Sequence, residues 1–494
     1  MNKFKKLAGD TAIYGVSSIL GRLLNWFLVP YYTRVFLEGE YGVVVNIYAY
    51  IAFILVLLTY GMETSFFRFA GKSEEPDKVY STSIISLFTT SALFVLAVML
   101  WDETIASWMD YSNHVEYIRW FGIIVAIDAF TAIPFARLRL SNRPIRFAVI
   151  KMANIILNIG FNIFFISFCP YWLERYPSSI ISAVYSADIG VGYVFISNLL
   201  ASVITLILLI PELIAVPLIF QKQKLKEMLD YGFPILLVGF AGVINQSIDK
   251  VLLKELLPEG VDGMAATGIY GANYKLGVLM AMFIQAFRYA FEPFFFSQKD
   301  GKDTKQMYAD ILKYFVIFGL LIFLGITFYI DIIKYLLGGR FQEGLHIVPW
   351  ILMAHLFLGI FYTLSLWYKL TDKTRFGAYL AIMGAVITLV LNFVLVPVIG
   401  YIGAAIAAFV CYFAMTVVSY ILGQKYYPVP YNLKRIVFYL IMALLMFGVA
   451  YILYPDNIIV RLSLNTALIG CFIAVVARYE GIDIRQLLPK KGGK

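Results

Sequence analysis

Long apolar blocks recur along almost the whole chain, each roughly 18 to 25 residues in length, the distance an α-helix needs to cross about 30 Å of hydrocarbon. They lie near residues 10–32, 41–63, 80–100, 115–136, 147–168, 189–220, 231–253, 268–292, 308–336, 345–367, 376–397, 400–422, 435–454 and 458–477. In lipid every backbone amide must be satisfied within the protein, so a chain of such blocks can only become a bundle of helices. Composition agrees: 61% of the 494 residues are apolar and 14% are charged, against about 25% charged in a soluble domain. The expectation is an all-α polytopic membrane protein with about 14 transmembrane helices.

The basic start MNKFKKLAGD has the look of a signal peptide. The block behind it, however, continues to about Pro30, carries Arg22 and Asn25, and has no convincing small-residue cleavage site. It reads as the first permanent span. With the N-terminus placed in the cytoplasm, the inner segments hold 28 Lys and Arg and the outer segments seven. A bias sustained over alternate loops is the positive-inside rule, and it places both termini in the cytoplasm. The net charge of +9 therefore speaks to orientation, not to a nucleic-acid partner. Of the remaining cations, Lys313 sits near a helix start and is expected to snorkel, whereas Arg22, Lys250, Lys275 and Arg288 lie within spans. Cys169, Cys411 and Cys471 have no metal or redox spacing and read as small apolar residues.

An internal repeat organises the spans. At an offset of 229 residues, Tyr41 to Phe67 aligns without gaps on Tyr270 to Phe296, with identities at Tyr41, Gly42, Ala52, Tyr60, Glu63, Phe66 and Phe67. Spans two and eight are thus equivalent and run in the same direction, which implies two parallel six-helix bundles about an axis along the membrane normal, with a site between them. The expected division is 1–220 for the first bundle, 221–230 for a cytoplasmic amphipathic linker, 231–422 for the second bundle, and 423–494 for helices 13 and 14 with the tail.

An ionisable side chain within a span is costly and normally faces protein or a water-filled cavity. Ser18, Arg22 and Asn25 share one face of the first span, and Asn245, Gln246, Ser247, Asp249 and Lys250 crowd two turns of the seventh. Spans one, two, seven and eight are therefore expected to line a cationic cavity in which Arg22, Asn25, Lys250, Lys275 and Arg288 bind an anionic substrate through charge-assisted hydrogen bonds. Plainer roles are also open: Lys250 pairing with Asp249, and Arg288 pairing with Glu292 one turn along its helix. Glu63 and Glu292 mark the inner ends of the equivalent helices, as gates or as solvated helix ends. Asp128 and Asp249 are candidates for ion coupling, although a hydrogen bond to a neighbouring helix accounts for Asp128 as well.

The segment GRLLNWFLVPYYTRVFLEGEYG, with Gly21-Arg22, Pro30-Tyr31-Tyr32-Thr33-Arg34 and Glu40-Tyr41-Gly42, resembles the opening of polysaccharide flippases of the O-antigen translocase type. These belong to the multidrug, oligosaccharidyl-lipid and polysaccharide exporter superfamily. The resemblance implies a bacterial inner-membrane protein that moves an undecaprenyl-diphosphate-linked oligosaccharide from the inner to the outer leaflet by alternating access, for lipopolysaccharide O-antigen or capsule assembly. It also implies a functional monomer surrounded by membrane lipids, with polysaccharide polymerase machinery as a partner. No cofactor is expected; the driving force would be a proton or sodium gradient or the membrane potential.

Close rivals are a lipid II flippase and a multidrug/cation antiporter of the same superfamily. The antiporter would ordinarily carry acidic residues where this chain carries cations. A membrane polymerase or ligase is a rival from another class and would need a larger outer loop bearing Arg or His. The longest one here, CPYWLERYPSSIISAVYSAD, has a single Arg, and His114, His346 and His355 are scattered. The chain reads as a non-enzyme without a metal site.

Overall fold

The computed structural model describes residue 15, residues 19–297 and residues 302–481. Among these residues twelve helices are long and apolar enough to cross a membrane. Two further spans belong to the expected set. The first is described only in part, helical over 19–26; the eighth is the 35-residue helix Gly263–Ser297, which carries Lys275 and Arg288 and is the polar exception. The protein is an all-α, multi-pass membrane protein.

In chain order the elements used below are α1 (Leu28–Val35), α2 (Glu38–Thr59), α3 (Met62–Ala70), α4 (Pro76–Leu100), α5 (Val115–Leu140), α6 (Pro144–Ile163), α7 (Gly192–Ile214), α8 (Lys222–Leu256), α9 (Gly263–Ser297), α10 (Lys302–Phe328), α11 (Val348–Leu364), α12 (Arg375–Ile399), α13 (Tyr401–Tyr426), α14 (Leu433–Leu453) and α15 (Ile458–Glu480). They group into two compact units, residues 1–271 with 388–401, and residues 272–387 with 402–494.

In the first unit α5 is the central helix: it packs on α4, α7 and α2 and buries Ile118, Ile124, Val125, Ala129 and Ile133 completely. α4 shows the opposite side of the same physics, turning Phe88, Leu93, Leu96 and Leu100 outward. Lipid accepts such a face, so association between spans rests on close packing and on polar contacts. Glu212 of α7 is such a contact, its carboxylate buried with Oε1 3.1 Å from Arg146 Nε. Its carbonyl accepts hydrogen bonds from Tyr80 of α4 and Arg137 of α5. In the second unit α10 takes the central role, packing on α11, α14 and α15.

Several local readings change. Residues 222–230 do not form a separate amphipathic helix: they are the first turns of α8, one continuous helix of 35 residues. Residues Cys169–Arg175, read as loop, continue the α6 span as helix after a π-helical stretch at Phe164–Phe168. The repeat copies also differ. Span two breaks between α2 and α3, where Tyr60 and Gly61 both adopt positive φ, 32° and 72°; span eight runs helical through the equivalent Tyr289 and Ala290. Glycine makes the left-handed conformation accessible at 61, and alanine at 290 keeps the helix. The break also lets the backbones meet: a Cβ on Gly61 would fall 2.6 Å from the Gly232 carbonyl oxygen of α8. Ser65 then donates to the Met228 carbonyl at 2.9 Å.

Candidate functional site

The polar turns of the seventh span form a buried cluster within the first unit. On α8, Asn245 and Asp249 lie one turn apart and both are buried. Asp249 Oδ2 accepts a hydrogen bond from the Tyr270 hydroxyl of α9 at 2.5 Å, and its Oδ1 lies 2.9 Å from Lys250 Nζ. Lys250 Nζ also donates to the Gln246 carbonyl at 2.8 Å and lies 5.6 Å from the centre of the Tyr270 ring. Asn46 of α2 closes the group: its amide nitrogen donates to the Lys250 carbonyl at 2.9 Å, and its oxygen accepts from the Tyr111 hydroxyl at 3.0 Å. Asn245 accepts from Thr388 of α12 at 3.4 Å.

A carboxylate and an ammonium removed from water hold their charges only when paired and hydrogen-bonded. Lys250 is therefore engaged by Asp249, the plainer of the two roles open to it. The cluster ties α8 to α2 and to the start of α9 and places a buried acid at their junction.

Two further features fix these helices, α8 to the turn at Met109 and Asp110, and α2 to α9. Lys254, one turn beyond Lys250, has its ammonium buried and donates to the Met109 carbonyl at 2.7 Å and to Asp110 at 3.0 Å. A glycine seam joins α2 to the first turns of α9: Cβ atoms built on Gly42 and Gly268 would lie 1.9 Å from the Met264 carbonyl oxygen and 2.0 Å from that of Glu38. Only hydrogen at these Cα atoms permits the approach, the small-residue packing familiar between membrane helices.

The remaining candidates make other contacts. Arg22 and Asn25 are both exposed on the first span, beside Gly21, which packs on Ile155 of α6. Glu63 of α3 makes an ion pair with Arg139, near the C-terminal end of α5, and the Arg139 guanidinium lies 4.7 Å over Phe67. Asp128 accepts from Ser202 of α7 at 3.0 Å, a bond between neighbouring helices of the kind expected for it. In the second unit Lys275 is exposed, and Arg288 stacks 4.5 Å over the Tyr362 ring. The Glu292 side chain lies outside the described residues, and with it the expected Arg288–Glu292 pair.

Sequence reasoning passed over two charge clusters in the second unit. Lys313 does not snorkel. It is buried and meets Glu480 at 2.5 Å and Asp310 at 3.2 Å, while Glu480 also accepts from Arg435 and Tyr439. Just past the opposite end of α10, Asp331 pairs with Arg461 at 2.8 Å and Lys334 at 3.1 Å. Charged residues placed near the ends of hydrophobic stretches were the only available signal. The three cysteines are free, and among the described residues no group of His, Cys, Asp and Glu could hold a metal ion.

Comparison with known proteins adds to this geometry. The polysaccharide biosynthesis protein family matches residues 7–298. A search of curated proteins finds no match. Among solved structures, the lipid II flippase MurJ in an inward closed conformation is similar at a TM-score of 0.68 and 16% identity, covering 94% of this chain and 99% of that one. An inward-facing multidrug resistance MATE family transporter of the MOP superfamily is similar at 0.65 and 15%, covering 82% and 94%. A MOP superfamily transporter from Pyrococcus furiosus, whose binding pocket is described as reversed in polarity, reaches 0.57 at 13%, covering 85% and 95%. At such identities the likeness is one of fold. The family match establishes that the chain belongs to the polysaccharide biosynthesis protein family, and its fold is like that of these solved transporters.

Proposed function

We propose that the protein is a flippase that moves a diphosphate-linked oligosaccharide, carried on a polyprenyl lipid, from the inner to the outer leaflet of a bacterial plasma membrane by alternating access. The product would feed surface polysaccharide assembly, as O-antigen or capsule. The observation that carries this reading is the family match over 7–298, in a chain whose polar spans hold Arg22, Lys275 and Arg288 besides the Asp249-paired Lys250. Diphosphates need cations, sugars need amides and hydroxyls such as Asn25, and a polyprenyl tail can remain in lipid. Arg22 is the residue we assign first to the diphosphate, because its side chain is exposed on the first span while Lys250 is held by Asp249.

The test is a flipping assay in proteoliposomes with a fluorescent diphosphate-linked oligosaccharide. Arg22→Ala is expected to lower the rate about tenfold or more, the loss of one charge-assisted contact to phosphate. A folded variant that flips at the wild-type rate would remove Arg22 from the site. The driving force can be read in the same vesicles. Two negative charges moving outward gain about 4 to 5 kcal/mol at 100 mV, at about 2.3 kcal/mol per charge. Collapsing the potential while a proton gradient is maintained is expected to slow flipping; an unchanged rate points instead to ion coupling, for which the buried Asp249 is the candidate group.

A second reading has its own support. The fold likeness to MurJ extends over 94% of the chain, so lipid II itself is the alternative cargo. Competition between the two lipids in the same assay separates them.

A further inference from the structure

The second unit contains a cavity of about 860 Å³ at the end where α10 stops, walled by parts of α10, α11, α13, α14 and α15. None of the residues discussed for transport lines it. Its walls are largely apolar, with Phe323, Phe409, Leu444 and Phe447 along them. Its polar residues are concentrated at Asp331, Lys334, Arg461 and Asn465, with His346 beside them.

The charges do not cancel. Asp331 is the single carboxylate lining the cavity and is shared by two cations, Arg461 at 2.8 Å and Lys334 at 3.1 Å; it also accepts from the Tyr454 hydroxyl at 3.3 Å. Asp331, Lys334 and Arg461 together leave one positive charge in a largely apolar cavity. Arg461 is itself about nine-tenths buried. Asn465, also buried, spends its amide nitrogen on the Phe328 carbonyl at 2.7 Å and leaves its oxygen without a donor among the described residues. A buried acceptor without a donor is costly unless another molecule supplies one. Trp350, Tyr451 and Tyr454 line the cavity and remain exposed, as amphipathic rings do at the boundary between hydrocarbon and headgroups. The charge bias of the sequence assigns this end to the outer leaflet.

We infer that this cavity is a binding site for an anionic glycerophospholipid of the outer leaflet, its phosphate against Lys334 and Arg461 and an acyl chain along the phenylalanine wall. A headgroup hydroxyl would supply the donor that Asn465 lacks. One residual positive charge matches the single negative charge of a phosphodiester, and basic pockets between spans are a recurrent way of holding acidic lipids. A lipid seated there would brace α14 and α15 against α10. The inference does not depend on the identity of the transported cargo.

Native mass spectrometry of the purified protein tests it, with phosphatidylglycerol, phosphatidylcholine and glycerol 3-phosphate as probes. Phosphatidylglycerol is expected to be retained about tenfold better than phosphatidylcholine, and Lys334→Gln with Asn465→Leu should abolish that preference. Arg435→Gln, which removes a cation at the opposite end of the same helices, should leave the preference intact. If the double variant does not fold, Lys334→Gln alone carries the test, because Arg461 still neutralises Asp331. Equal retention of the two lipids, or an unaltered preference in the Lys334 variants, would overturn the assignment. Displacement by glycerol 3-phosphate would also overturn it, as a site for a free anion, and displacement by a polyprenyl diphosphate would assign the cavity to the cargo instead.

Discussion

Gly42→Ala and Gly268→Ala are each expected to reduce transport to background, although the same change at Gly448 or Gly470 should be silent or slightly stabilising. The substitution is chemically identical at all four positions, so the contrast isolates geometry. At Gly42 and Gly268 the new methyl carbon would fall 1.9 Å and 2.0 Å from backbone carbonyl oxygens across the seam. Backbone atoms cannot swing aside as a side chain can, so α2 and the first turns of α9 must move apart. Separation would strain Asn46, Tyr111, Asp249 and Tyr270, whose hydrogen bonds cross the same junction. At Gly448 and Gly470 a Cβ meets nothing within 4 Å, and alanine is favoured over glycine in a helix by about 1 kcal/mol. Flipping rates and melting temperatures of the four variants check this. Wild-type transport by folded Gly42→Ala and Gly268→Ala proteins would mean that the seam is not needed for the cycle.

Much of this fold was legible because lipid allows so few solutions. Hydropathy located the spans, and the repeat singled out the second and eighth helices, which the Gly42–Gly268 seam joins. Polar residues in the seventh span pointed to a site, and Asn245, Asp249 and Lys250 do form part of a buried cluster. Its other half was not legible. Asn46 looks unremarked in an apolar run, and Tyr270 was noted only for matching Tyr41; their roles depend on which helices touch, which periodicity does not encode. Helix ends were misread for a related reason. Charges at 222–230 suggest a surface helix, but a span can begin within a charged stretch, and α8 is continuous from Lys222 to Leu256. Lys313 reads from sequence as a snorkelling lysine near a helix start, since nothing local reveals that Glu480, 167 residues away, is its partner.

Glu480→Leu is expected to be among the most destabilising single substitutions in the second unit, and Lys313→Met combined with it should recover much of the loss. Glu480 is almost fully buried and accepts from Lys313, Arg435 and Tyr439 at 2.5, 3.2 and 2.7 Å. Removing it leaves the buried Lys313 ammonium, among the described residues, with only the more exposed Asp310 as an acidic partner. Breaking one side of a buried ion pair typically costs about 3 to 5 kcal/mol, whereas replacing both sides by apolar groups of similar volume is often close to neutral. The asymmetry is sharper here because α10, α14 and α15 meet at this cluster: losing the carboxylate loosens the last two helices from the rest of their unit. Thermal unfolding of the purified variants in one detergent gives the comparison, with Arg435→Gln, whose side chain is partly exposed, expected to have the smallest effect. A double variant no more stable than Glu480→Leu alone would show that the carboxylate acts chiefly through Tyr439 and Arg435, and would move the centre of the cluster from α10 to α14.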